Sequence, residues 1–243
     1  MYNVNRLGNM FKKIFSALLS SSCALCGALS GTVVCGSCYY QCKQVNKVRC
    51  VQCGIALVGE EYDKKCGRCL KSSPSYDVTL TAVDYAPPID QLVVALKFQH
   101  QLALVSFFAR MLQERIKESG EALPDFFLAT PLSEVRLIER GFNQSLEIAK
   151  VCARHFDIPF YRDVLIRNKH TVAQMSLSMK ERYQNVKGVF LVDARFRHML
   201  EGKHIGVVDD VMTTGATMEE IAYVLKRNGA RKITNLVFAR TPL

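Results

Sequence analysis

The chain has no tryptophan, few prolines and a shortage of acidic groups: 22 Asp and Glu stand against 32 Lys and Arg, a formal charge of +10 over 243 residues. Long hydrophobic runs are also missing. Charges interrupt every apolar stretch well short of the roughly 20 residues that cross a bilayer, so no transmembrane helix is expected. With 49% apolar residues, the chain still has enough material for a substantial core, as one large domain or two smaller ones. Without tryptophan, and with only Tyr39, Tyr40 and Tyr62 as phenolic rings between residues 23 and 72, no aromatic ladder for stacking nucleic-acid bases is evident there.

A secretory leader is not expected either. Lys12 and Lys13 precede Ile14–Leu19 and then Ser20, Ser21, Ser22 and Cys23, which loosely imitates a lipoprotein signal. The apolar stretch is shorter than the roughly 7–15 residues of a secretory h-region, and Ser20 stands where an aliphatic residue belongs. Met10, Phe11, Ile14, Phe15, Leu18 and Leu19 repeat at helical spacing, which predicts an amphipathic helix over 1–22. Packing on the rest of the protein is its simpler use; peripheral membrane contact is left open. A cytoplasmic location is expected.

Cysteine is scarce over most of the chain and dense in one part. Nine of the ten cysteines lie between residues 23 and 69, and eight form C-x-x-C pairs: Cys23 and Cys26, Cys35 and Cys38, Cys50 and Cys53, Cys66 and Cys69. CALCGALSGTVVCGSC and CVQCGIALVGEEYDKKCGRC share C-x-x-C-G, an Ala-Leu step soon after it and a closing C-G-x-C, the second with four extra residues before its closing pair, so the segment is a duplicated unit. A C-x-x-C turn lets two thiolates converge on one tetrahedral ion, and two turns close a site. Without a leader the alternative, a disulfide scaffold, loses its oxidising compartment. We therefore expect two structural Zn²⁺ ions, paired sequentially by the duplication, with an interleaved pairing as the alternative. Cys42 is an unpaired extra, and Cys152 lies on an apolar helix face and reads as core. Residues 1–72 carry ten Lys and Arg against three Asp and Glu; eight thiolates and two divalent ions would bring that +7 to about +3. The basic balance is thus a weaker pointer to nucleic acid than it looks.

After Ser72 the cysteines stop and Pro74 breaks the chain, which sets expected boundaries of 1–22, 23–72 and 73–243. Strands are expected at 78–85, 126–129, 189–192, 205–208 and 233–239. Helices are expected over much of 89–117 and at 145–156 and 217–228. Strands alternating with helices imply an α/β domain with a mainly parallel sheet and ligands at the strand carboxyl ends. One such end reads IGVVDDVMTTGAT, Ile205 to Thr217. An apolar strand delivers Asp209 and Asp210, whose carboxylates can accept bonds from vicinal hydroxyls. Thr213, Thr214, Gly215, Ala216 and Thr217 then form a small-residue turn whose amides and hydroxyls can surround a phosphate at a helix N-terminus.

This combination resembles the phosphoribosyl pyrophosphate (PRPP) motif of type I phosphoribosyltransferases. The resemblance implies that Asp209 and Asp210 face the ribose hydroxyls while Thr213–Thr217 takes the 5-phosphate. LATPLSEVRLIERGFNQS, Leu128 to Ser145, and the series Arg167, Lys169, Thr171, Gln174, Leu177, Arg182 and Asn185 narrow it to the ComF family. With the knuckles, the match covers nearly everything from Cys23 onward. It departs at Ala129 and Thr130, where Pro-Val is usual, which puts the path of the pyrophosphate loop in doubt. The implied fold is a Rossmann-like type I phosphoribosyltransferase domain behind an N-terminal double zinc ribbon. The implied ligand is PRPP with Mg²⁺. The implied role is in DNA uptake during natural transformation, with single-stranded DNA and other uptake proteins as partners. Arg136 and Arg140 suit the pyrophosphate, Arg being the better bidentate phosphate partner. Arg167 and Lys169 suit a mobile catalytic flap. Asn143 and Gln144 suit ligand contact, and Asn143 equally suits capping of the next helix. Two alternatives stay open: a working phosphoribosyltransferase of nucleotide or amine metabolism whose acceptor is invisible, and a PRPP sensor without turnover.

Overall fold

The computed structural model describes residues 21–43, 47–57, 64–168 and 184–242. The predicted helix over 1–22 lies almost wholly outside them. By contact density the chain divides between Val45 and Asn46, whereas its composition changes at 72. The first cysteine repeat forms one compact unit and the second is built into the other.

In the first unit, β1 (Ser21–Ser22) and β2 (Leu29–Ser30) form a short antiparallel hairpin around the first C-x-x-C turn, and α1 (Gly36–Lys43) starts inside the second and carries Cys38. Gly27 amide donates to the Cys23 carbonyl at 2.9 Å, and Cys23 amide donates to the Ala28 carbonyl at 2.7 Å. The second repeat reproduces both bonds, Gly54 to Cys50 and Cys50 to Ile55, at 2.8 Å each, and closes with α2 (Gly67–Lys71). Gly27 and Gly54 take φ of +73° and +71°, a left-handed conformation that glycine adopts without steric cost. That is why C-x-x-C-G recurs in both copies.

The larger unit is organised by four parallel strands. They are β3 (Val78–Asp84), β4 (Phe126–Ala129), β7 (His204–Met212) and β8 (Lys232–Arg240), in the order β3, β8, β7, β4. Parallel strands need crossovers. Here these are α3 (Ile89–Phe98) and α4 (Leu104–Ser119) after β3, α5 (Glu134–Arg140) and α6 (Gln144–Phe156) after β4, and α7 (Ala216–Arg227) between β7 and β8. The predicted helix over 89–117 is therefore two, separated at His100, whose φ is +54°. A two-stranded antiparallel pair, β5 (Leu165–Arg167) with β6 (Phe190–Val192), was not anticipated at 165–167.

Alternate residues of a strand face opposite sides of its sheet. Phe238 on β8 stacks on Phe108 of α4, ring centroids 3.7 Å apart at 9°. Its neighbours Ile233 and Val237 instead join a buried cluster with Ile221 and Leu225 of α7, Phe190 of β6, and Cys50, Cys53 and Cys69 of the second repeat. The sheet is thus covered on both sides, as a parallel sheet requires. The cysteine repeat supplies part of the cover.

Candidate functional site

β7 runs longer than its apolar core, to Met212, so both aspartates belong to the strand and are buried, 9% and 3% exposed. Asp209 Oδ1 accepts from Ser145 Oγ of α6 at 2.9 Å and from the Asp210 amide at 3.0 Å. Asp210 Oδ1 accepts from the Val211 amide at 2.8 Å, while its Oδ2 lies 2.7 Å from Lys97 Nζ of α3. Burial, then the Asp210 charge, push Asp209 up to about 7, against the opposing bond from Ser145. Two carboxylates side by side in a buried site resist ionising together, and the cation on α3 relieves that strain.

Thr213, Thr214 and Gly215 make the turn into α7. Gly215 is the N-cap with φ +88°, and its carbonyl accepts from the Glu219 amide at 2.9 Å. A Cβ there would come within 2.7 Å of Met212 Cε and 3.2 Å of the Tyr76 hydroxyl. Thr214 Oγ1 accepts from the Ala216 amide at 3.3 Å, and Thr217 lies in the first turn. The structure therefore places the expected acid pair and small-residue turn at one strand end, before a 12-residue helix. The positive end of that helix dipole favours an anion.

Arg140, at the end of α5, is buried at 9% exposure. Its Nη1 donates to Gln144 Oε1 at 3.2 Å, and its guanidinium lies 5.3 Å from the Phe98 ring centroid. Burial lowers its pKa, whereas the charges of Asp210 and Asp209 raise it, so this cation belongs to the aspartate site. Arg136 is half-buried on the same short helix. Asn143 is committed to structure: Oδ1 accepts from the Leu146 amide at 3.2 Å as the α6 N-cap, and Nδ2 donates to the Thr130 carbonyl at 3.0 Å. Capping thus accounts for Asn143, and the bond to Arg140 accounts for Gln144.

Arg167 closes a strand just before the segment expected to form a flap. It sits on β5 opposite Phe190, with its guanidinium 5.4 Å from that ring, and burial followed by the Arg136 charge lowers its pKa. Lys169, Thr171, Gln174, Leu177 and Arg182 lie outside the described residues; Asn185 lies within them.

The eight paired cysteines converge as two groups, Cys23, Cys26, Cys35 and Cys38, and Cys50, Cys53, Cys66 and Cys69, with every sulfur in a group within 4.8 Å of the others. The Cys26–Cys35 and Cys53–Cys66 sulfurs are 3.7 and 3.5 Å apart. Four thiolates at about 2.3 Å from a tetrahedral ion are about 3.8 Å apart, so both groups fit a metal. Sequential grouping is the one the geometry presents. Burial raises the Cys23 thiol, but the amides of Cys35, Cys26 and Leu25 outweigh it and bring the group down to about 6. A hydrogen bond from Cys53 holds Cys50 down at about 4. Burial pushes Cys38 and Cys69 up in turn, and the bond to Cys50 pushes Cys53 up, so one thiolate leads in each cluster and a bound cation would ionise the others. Cys42 stands apart from both groups. Cys152 is core, pushed up to about 12 by burial.

Three site residues were not anticipated. Lys97 had a signal: Ile89, Val93 and Lys97 share one stripe of α3, where a lysine among buried apolar residues needs an anionic partner. Ser145 and Arg240 had none, since a serine near a helix start and an arginine closing a strand both read as solvated ends. Arg240 is instead 1% exposed and donates to backbone carbonyls, among them Met212 at 3.0 Å and Cys53 at 3.0 Å.

Residues 143–242 match the family described as phosphoribosyl transferase domain. The chain is 33% identical over 226 residues to "DNA utilization protein YhgH" of Escherichia coli (strain K12), covering 90% of this chain and 96% of that protein. It is 33% identical over 204 residues to "Competence protein F" of Haemophilus influenzae, covering 82% and 87%. It is 26% identical over 231 residues to "Competence protein ComFC" of Streptococcus pneumoniae, covering 90% and 99%. With a phosphoribosyltransferase-type sheet, two four-cysteine clusters and 33% identity to competence protein F over most of both chains, the chain belongs to the ComF family.

Proposed function

We propose that the protein binds PRPP, with Mg²⁺, at the carboxyl end of β7, and that it serves DNA uptake as a ComF protein. The observation that carries the ligand reading is the buried Asp209–Asp210 pair at a parallel strand end, followed by the Gly215-capped turn into α7. The carboxylates accept the ribose 2- and 3-hydroxyls. The Thr213–Thr217 amides and hydroxyls hold the 5-phosphate. Lys97, Arg140 and Arg136 supply the positive charge that a pyrophosphate requires. Mg²⁺ arrives with PRPP and shields its diphosphate.

The two cysteine clusters hold one zinc ion each as structural sites, all four positions of each being filled by thiolate. The uptake reading rests on the names of the relatives, DNA utilization and competence protein. No helix among the described residues is long and apolar enough to cross a membrane, which agrees with work in the cytoplasm.

The same cations that hold pyrophosphate would also stabilise it as a leaving group, which favours turnover as the second reading. The experiment is calorimetric titration of PRPP with Mg²⁺, run beside single-stranded DNA binding and PRPP turnover against a panel of bases and amines. Saturable PRPP binding together with DNA binding is the expected result. Turnover without DNA binding would move the protein to nucleotide or amine metabolism. PRPP binding with neither would make it a sensor, and no PRPP binding would end the ligand assignment.

A further inference from the structure

The second cysteine cluster is bonded to the phosphate turn from both of its ends. Arg240, the last residue of β8, is almost completely buried and spends its guanidinium on carbonyls. Nε donates to Cys53 at 3.0 Å. Nη1 donates to Met212 and Thr241 at 3.0 Å and to Thr213, the first residue of the turn. One rigid fork thus joins the backbone of a cluster cysteine to the backbone that opens the turn.

At the other end, the chain leaves Cys69 and reaches Ser75. Its amide and hydroxyl donate to the Glu219 carboxylate at 2.8 and 2.6 Å. Glu219 lies in the first turn of α7, where its amide donates to Gly215. Tyr76, next in sequence, is packed in the same buried cluster as Cys50, Cys53, Cys69 and Met212 and stands behind Gly215.

Between these ends the repeat is sewn to the sheet. Thr79 amide and Oγ1 donate to the Val51 and Gln52 carbonyls at 2.9 and 2.6 Å, and Arg49 and Lys47 pair with Asp84 at 2.8 and 2.7 Å.

We propose that metal held by Cys50, Cys53, Cys66 and Cys69 and PRPP held at Thr213–Thr217 are thermodynamically coupled, with Arg240 as the positioning residue. The coupling rests on the PRPP reading of this turn. With the four thiolates gathered on an ion, the Cys53 carbonyl is fixed, Arg240 is fixed by it, and the Thr213 carbonyl is held where the turn amides face a phosphate. With the ion removed, like-charged or protonated sulfurs no longer hold the knuckle together and the fork loses one anchor. Coupling is reciprocal, so PRPP must in turn tighten the metal.

The test uses the full chain carrying Cys26→Ser, which weakens the first cluster so that tightly held zinc reports the second. Zinc affinity is measured at equilibrium against a chromophoric chelator, with and without saturating PRPP and Mg²⁺. Asp209→Asn/Asp210→Asn serves as the control for zinc bound by PRPP in solution. Expected is a rise of about tenfold with PRPP, within the range typical of coupled sites, and a rise below about twofold in Arg240→Met that still binds PRPP more weakly.

Arg240→Met leaves buried carbonyls unpaired and can unfold the chain, so Arg240→Lys is measured as well. It keeps the charge without the fork and should show reduced coupling. Zinc affinity that does not respond in a PRPP-binding wild type overturns the coupling. Full coupling in a folded Arg240 variant overturns the role of Arg240. A wild type that binds no PRPP overturns the reading of the turn itself, a separate failure that takes the coupling with it.

Discussion

Asp209 is a carboxylate that burial and the neighbouring Asp210 charge keep protonated up to about pH 7. Because its folded pKa lies above the ordinary value of 3.8, the stability it contributes is fully present below about pH 4 and is lost as pH rises through about 7. Asp209→Asn mimics the protonated acid. Urea midpoints should therefore show wild type losing ground against this variant between about pH 4 and 7 and holding level above that. Ribose hydroxyls donate, so PRPP prefers the ionised acid. Wild-type affinity should strengthen from pH 6 to 8, and Asp209→Asn should lose most of that dependence.

Replacing both aspartates by Asn removes charge-assisted bonds that contribute roughly 1.5–3 kcal/mol each, and should weaken PRPP at least about tenfold in calorimetry. Unchanged affinity in that folded double variant would remove β7 as the ligand site. Gly215→Leu should be as harmful by another route. Its φ of +88° costs a side chain about 1–2 kcal/mol, and the added bulk meets Met212 and Tyr76 on the turn that must close around the phosphate.

The two cysteine repeats share a turn and differ in what surrounds it. A Cβ on Gly27 would meet nothing within 4 Å, whereas one on Gly54 would collide with Thr79 and Thr81 of β3. Both glycines have positive φ, so the backbone alone should cost Gly27→Ala and Gly54→Ala about 1 kcal/mol each. Gly54→Ala should lose clearly more, seen as a larger drop in melting temperature together with weaker PRPP binding. Equal drops would mean that the second knuckle is no more tightly docked than the first. The sequential grouping of the sulfurs carries its own expectation. Cys50→Ser should release about one zinc ion per chain by elemental analysis and leave the first cluster filled, while an interleaved head would lose both.

For the whole molecule, the division at Val45/Asn46 matters more than the change in composition at 72. A chain beginning at Asn46 keeps every bond between the second repeat and the sheet. It should fold, hold one zinc and bind PRPP within about threefold of the full chain, since every residue assigned to the ligand belongs to the unit Asn46–Leu243. A chain beginning at residue 73 strips Cys50, Cys53, Ile55 and Cys69 from the main buried cluster and Cys53 from Arg240. Losing several buried side chains at about 1.5–3 kcal/mol each exceeds an ordinary stability margin, and this chain should be insoluble or molten by circular dichroism. Comparable folding of the two truncations would restore 72 as the working boundary.

Much of this molecule was legible because the chemistry is local. A C-x-x-C-G turn, an apolar strand ending in two acids and a T-T-G-x-T turn each lie within a dozen residues. Backbone sterics and ligand geometry select them without help from the rest of the chain. The strand and helix periods were equally readable, apart from the break at His100 and the short β5, which are too brief to carry a period.

Tertiary structure decided what distant residues do together. It set Lys97 and Ser145 on the aspartates, put Arg167 on β5, and drew one of two repeats with the same knuckle pattern into the sheet unit while leaving the other in its own. Those outcomes depend on which surfaces meet across long loops. Arg240 shows the reason most plainly: the sequence alone determined an arginine at a strand end, and only packing under Cys53 and Thr213 made it a buried tie between them.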